Sequence, residues 1–121
     1  MDLKNRSVVI TGGSRGLGLG VVEALAGQGA LVTVVARASE ALDAVAALPG
    51  VTAVAADIRD EEAAGRIVTD VRPDILILNA GAKPPMARMD EISWADFTAT
   101  WEHDVRAGLY WLQAALNLPL R

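Results

Sequence analysis

The segment Thr11-Gly12-Gly13-Ser14-Arg15-Gly16-Leu17-Gly18 is where residue types and spacing point most directly to chemistry. Its glycines read G-x-x-x-G-x-G and lie between a β-branched run and a helix-forming run. There, glycine permits a tight turn and a close approach of main chain to an anion. The start of the following helix adds free N–H groups and the positive end of its dipole. The implied chemistry is the grip on a phosphate-bearing ligand. A ligand-free glycine turn would use the same letters, but the position between strand and helix favours binding. The spacing is not G-x-G-x-x-G, and no Gly-Lys-Ser/Thr follows to make a Walker loop.

Elements to position this turn can be read on both sides of it. Ser7 to Thr11 is a short, continuously apolar, β-branched run of the kind buried on both faces of a parallel sheet. A helix is expected from Gly16 to about Leu25, stopped by Gly27-Gln28-Gly29. Leu31 to Ala36 repeats the strand signature, and Ser39 can cap a helix through Leu48 that stops at Pro49-Gly50. Val51 to Ala56 reads as a third strand, Asp60 to Val71 as a helix, and Asp74 to Asn79 as a fourth strand. Beyond a loop containing Pro84-Pro85, Ser93-x-x-Asp96 resembles a capping box and opens a helical stretch to about Leu118, with a break near Asp104. Alternating strands and short crossovers predict an α/β, Rossmann-like, doubly wound parallel sheet with strand order 3-2-1-4 and flanking helices.

Composition narrows the setting. The 121 residues, 52% hydrophobic, suit one globular domain, 1–121, and the absence of cysteine excludes disulfides and thiolate metal sites. No metal is expected. With 15 acidic against 11 basic residues and no Lys/Arg run, a nucleic-acid backbone would find little counter-charge. No run approaches the roughly 20 apolar residues of a membrane span, and Met1 to Arg6 leads into a strand without a signal-peptide core. A soluble cytoplasmic protein, with no membrane partner, is the expectation.

Taken together, Thr11-Gly12-x-x-x-Gly16-x-Gly18, Asp57 after the third strand and Asn79-Ala80-Gly81 ending the fourth resemble the short-chain dehydrogenases/reductases, over essentially the whole chain. The resemblance implies that Gly12, Ser14, Arg15, Gly16, Leu17 and Gly18 hold the pyrophosphate and adjoining ribose of a nicotinamide dinucleotide. It implies that Asp57 and Ile58 contact the adenine ring, and that Asn79, Ala80 and Gly81 steady the central strand and line the cofactor crevice. Read alone, Asp57 equally suits a turn residue capping the next helix. Arg37 ends the second strand, over the adenosine ribose, where an acid would accept from the 2′-hydroxyl. With Arg15 it can instead clamp a 2′-phosphate by forked, charge-assisted hydrogen bonds. NADP(H) is therefore expected over NAD(H), although each arginine singly would pass for a solvated surface charge.

The resemblance also implies carbonyl/alcohol hydride transfer, with a small-molecule carbonyl or alcohol as the substrate. Its Tyr-x-x-x-Lys pair is absent from these residues: the single tyrosine, Tyr110, is followed by Trp111-Leu112-Gln113-Ala114. This chain alone is expected to be inactive, lacking the family's C-terminal catalytic segment. Asp104 falls where the family usually carries a relay asparagine, and an ionised carboxylate accepts hydrogen bonds without donating them. A lone His103 next to it receives no role. Gly108 to Leu116 is apolar on more than one face, and the fourth strand would be left as an exposed edge, so a homo-oligomer is expected. The alternative is a non-catalytic dinucleotide-binding or interaction module, complete as written.

Overall fold

The computed structural model describes residues 2–81 and 86–119. The loop expected around Pro84-Pro85 lies outside the described residues. Four strands, β1 (Ser7–Thr11), β2 (Leu31–Ala36), β3 (Val51–Ala55) and β4 (Ile75–Leu78), form one sheet of order β3-β2-β1-β4, all paired in parallel. The expected order is the observed one. Between them run α1 (Gly16–Gly27), α2 (Glu40–Ala46) and α3 (Glu61–Val71). After β4 come α4 (Trp94–Thr100), a π-helical turn (Trp101–Val105) and α5 (Arg106–Leu116).

Alternation along the strands separates two apolar layers. Val8, Ile10, Val32 and Val34 pack with Val22 of α1 and with Leu42 and Val45 of α2. Val9 and Val35 face the other way, against Ala64, Ile67 and Val68 of α3 and Ala107 and Trp111 of α5. Because both faces of β1 and β2 are covered, their interiors are apolar apart from the buried Thr33, rather than alternating with polar residues. Trp111 is fully buried, and its indole Nε1 donates to the Ile58 carbonyl at 2.9 Å, which ties α5 to the loop after β3.

Helix boundaries shift where backbone hydrogen bonds, not composition, decide them. α1 runs on to Gly27 instead of ending at Leu25, because the stop lies at Gly29, whose φ is +84° and whose N–H bonds back to Ala26. α2 ends at Ala46 instead of Leu48; the N–H groups of Ala47 and Leu48 reach only three residues back, to Ala44 and Val45. The third strand ends at Ala55 and the fourth spans Ile75–Leu78, each slightly shorter than its apolar run. Asp60 caps α3 by accepting from the N–H groups of Glu62 and Ala63, so that task does not fall to Asp57. The break expected near Asp104 is the π turn, which inserts a residue without ending the helical path.

Candidate functional site

Parallel strands point their C-terminal ends to one edge, so the loops after β1, β2, β3 and β4 converge. A cleft of about 350 Å³ opens there, lined by Gly12, Ser14, Arg15, Arg37, Ile58 and Ala80, with Val35, Ala36, Ala38, Ser39, Ala56 and His103 completing its walls. The strand order reverses between β2-β1 and β4, which makes this the switch point at which open α/β sheets bind ligands.

The glycine turn is held by β4. Asn79 Nδ2 donates to the Gly12 carbonyl at 3.0 Å, and the N–H groups of Asn79 and Ala80 donate to Thr11 Oγ1 at 3.2 and 3.3 Å. Gly12 adopts φ +75°, and a Cβ on it would come within 2.6 Å of Ala80 Cα. A Cβ on Gly18 would overlap the Asn79 amide and the Gly12 carbonyl. These two glycines are required by packing, and the close approach they allow keeps main chain at the floor of the cleft.

α1 begins here without a side-chain cap and with no acidic residue in its first turn. By contrast, Ser39, Asp60 and Ser93 cap α2, α3 and α4, and each of those first turns carries acid. The N–H groups at the start of α1 therefore keep their capacity to bind an anion. Arg15 and Arg37 are exposed at the same cleft, and neither has an ion-pair partner within 4 Å among the described residues.

Asp57 is differently engaged. Its carboxylate accepts from Arg59 Nε and an Arg59 terminal nitrogen at 3.1 and 2.9 Å, and from the Arg59 backbone N–H at 2.9 Å. The Arg59 side-chain and backbone hydrogen bonds pull its pKa from the ordinary 3.8 to about 2, and the positive charge of Arg37 adds a smaller push in the same direction.

Six of the sequence-chosen residues thus line the cleft: Gly12, Ser14, Arg15, Arg37, Ile58 and Ala80. Gly18 and Asn79 stand behind it as packing partners, and Asp57, Gly81, Gly16 and Leu17 are exposed at its margins, Leu17 at 79%. Asp104 does not line it; its Oδ1 lies 3.0 Å from His103 Nδ1, and its Oδ2 is 4.0 Å from where a Gly81 Cβ would stand. Sequence reasoning missed Ser39 as a wall residue, having read it only as a cap, and missed His103, for which spacing gave no partner. Tyr110 does not line the cleft; it accepts from Arg106 Nε at 2.8 Å, one turn back along α5. Among the described residues no group of acids and histidines could hold a metal, and no helix is long and apolar enough to cross a membrane.

Comparison with known proteins agrees with this geometry. The family model described as short chain dehydrogenase matches residues 6–119. L-xylulose reductase of Homo sapiens is 35% identical over 106 residues, which cover 87% of this chain and 43% of that protein. A solved L-sorbose reductase from Gluconobacter frateurii, complexed with NADPH and L-sorbose, superposes with a TM-score of 0.83 at 29% identity, over 96% of this chain and 49% of that one. A short-chain dehydrogenase/reductase from Serratia marcescens gives 0.84 at 29% identity, over 96% and 51% of the two chains. The chain spans about half the length of these relatives. With its sheet order, its β4-braced glycine turn and a match along nearly its entire length, the chain belongs to the short-chain dehydrogenase/reductase family of oxidoreductases.

Proposed function

We propose that the chain binds NADP(H) in the cleft at the C-terminal edge of the sheet, as the nucleotide-binding part of a carbonyl/alcohol oxidoreductase. The observation that carries this reading is that Arg15 and Arg37, from different loops, line one cleft and lack ion-pair partners among the described residues. Unpaired cations brought to one pocket suit a phosphate dianion, which takes forked hydrogen bonds from both. The cofactor named for the sorbose reductase lends support.

The remaining residues fit the group. Ser14, Gly16 and Leu17 bring main-chain N–H groups and a hydroxyl to the pyrophosphate and its ribose, and Gly12 and Gly18 allow the close approach. The apolar wall of Ala56 and Ile58, with Asp57 at its edge, suits the adenine ring, and Ala80 lines the side toward β4, where Asn79 braces the glycine turn. Bound there, a nicotinamide dinucleotide supplies hydride transfer, while the protein contributes orientation and electrostatics. Asp104 is the candidate for the relay position on the helix, where its carboxylate can only accept. The apolar stripe of Trp94, Phe97, Trp101, Leu109, Leu112 and Leu116 is exposed, and we assign it to a second copy of the chain in a homo-oligomer.

Replacing both arginines tests the reading. Arg15→Ala with Arg37→Ala should weaken NADPH binding, measured by calorimetry, by about a hundredfold, since a hydrogen bond to a charged group contributes roughly 1.5–3 kcal/mol. NADPH affinity unchanged in that double variant would refute the assignment of the 2′-phosphate to these residues.

A further inference from the structure

We propose that Arg59 is a positioning residue for dinucleotide selectivity: by forking onto Asp57 it keeps that carboxylate from pairing with Arg37, and so leaves Arg37 free for a 2′-phosphate. The proposal rests on the nucleotide-binding reading above and deepens it, because it gives a role in selectivity to a side chain that is not part of the cleft lining. Arg59 Nε and a terminal nitrogen donate to the two Asp57 oxygens at 3.1 and 2.9 Å, and the Arg59 backbone N–H donates to the first of them at 2.9 Å. The backbone bond is a local turn that orients the carboxylate, and the guanidinium fork captures it there.

Topology brings the competing cation to the same rim. β2 and β3 pair in parallel with Ala36 opposite Ala55, and the Ala56 N–H donates to the Ala36 carbonyl at 3.0 Å, so the chain leaves the sheet at Arg37 and Asp57 from adjoining strands. Neighbouring strands lie about 4.8 Å apart, a gap that an arginine side chain spans. Side-chain hydrogen bonding by Arg59 is the main cause of the low pKa of Asp57, and the charge of Arg37 adds to it from that adjoining position. Asp60, the next acid along, is committed to capping α3 through the N–H groups of Glu62 and Ala63. Asp57 is therefore the acid after β3 that stands ready to neutralise Arg37, and Arg59 is what occupies it.

The local charges set the direction of the effect. With the Asp57–Arg59 pair closed, its two charges cancel, and Arg15 and Arg37 are left to face a phosphate. Without the Arg59 guanidinium, Asp57 turns to Arg37, and a 2′-phosphate must displace a carboxylate before it binds. NADH brings no such phosphate and is spared that competition. The two members of the pair are 45% and 44% exposed, so the competition has the modest size of an exposed ion pair, roughly a few-fold in affinity.

The test is calorimetry of the full chain with NADPH and with NADH at a single pH and ionic strength, for the unaltered protein, Arg59→Ala, Asp57→Asn and the double variant. Circular dichroism checks that each variant folds. The readout is the ratio of the two Kd values, from which any contact of Asp57 with the adenine cancels, because both dinucleotides carry that ring. We expect Arg59→Ala to lower the preference for NADPH about three- to fivefold, and the double variant to regain the preference of Asp57→Asn. A merely structural role for Arg59 would weaken both dinucleotides alike and leave the ratio unmoved. If the ratio is unchanged in Arg59→Ala while Arg37→Ala lowers it, the Arg59 proposal fails and the cofactor reading stands. If Arg59→Ala lowers the ratio as much in the Asp57→Asn background as in the unaltered one, Arg59 acts as a distant cation rather than through Asp57, and the proposal is wrong. If the unaltered protein binds neither dinucleotide, or both equally, the reading and the proposal fall together.

Discussion

The β1-β2 half and the β4-α5 half of the molecule are built on the same sheet but finished differently. β1 and β2 place Val8, Val9, Ile10, Val32, Val34 and Val35 at no more than 1% exposure, with helices over both faces. β4 is only half-buried, with Leu78 exposed, and α4 buries none of its side chains. α5 buries only Ala107 and Trp111, while Leu109, Leu112 and Leu116 stay exposed. The candidate cleft draws most of its walls from the finished half. The other half carries apolar surface out of proportion to a free-standing layer, as expected of a face that packs on more protein.

Trp111 is the pin between the halves, so its loss should have the largest effect. Trp111→Ala removes a fully buried indole and its hydrogen bond to Ile58, and should cost about 3–5 kcal/mol in chemical denaturation. Against a typical total of about 5–15 kcal/mol, that is enough to loosen α5 from the sheet. A loss under about 1 kcal/mol would mean that the β4-α5 half contributes little to the fold.

A smaller effect on the fold is expected at the outer stripe. Trp101→Ser with Leu109→Ser replaces exposed side chains, and should leave helix content intact while shifting sedimentation toward a lighter species. Unaltered chain that sediments as a monomer would remove the need for a partner at this face.

The smallest effect belongs to the rim of the finished half. Asp57 titrates at about 2 rather than 3.8, so its pairing with Arg59 supports the folded state above pH 4 and is lost as pH falls through 2. Both side chains are more than 40% exposed, and solvent screening limits the contribution to roughly a few tenths of a kcal/mol. Asp57→Asn should accordingly change stability at pH 7 within that margin, while removing the low-pH step from an NMR titration of the Arg59 amide.

Legibility in the sequence followed the same division. β1 and β2 could be read because burial on both faces demands an unbroken apolar run, and the glycine turn because a strand, a turn and a helix in that order leave few alternatives. Arg37 could be placed by counting to the end of β2. His103 could not: a break near Asp104 was legible, but its form as a π turn at Trp101–Val105, which decides the side chains that reach the cleft, is set by backbone hydrogen bonding that residue types alone do not fix. Ser39 was visible as a cap, yet its presence in the cleft wall depends on the path of the chain after β2. Asp57 was legible as a polar residue after β3, but its capture by Arg59 is a matter of local geometry that residue spacing alone does not fix.

The central claim is the pairing of two cationic side chains with a 2′-phosphate. Side-by-side calorimetric titrations of the unaltered chain with NADPH and NADH address it most directly. NADPH binding at least about tenfold tighter, with the margin abolished in Arg37→Ala, is the expected result. Equal affinity for the two dinucleotides would contradict it.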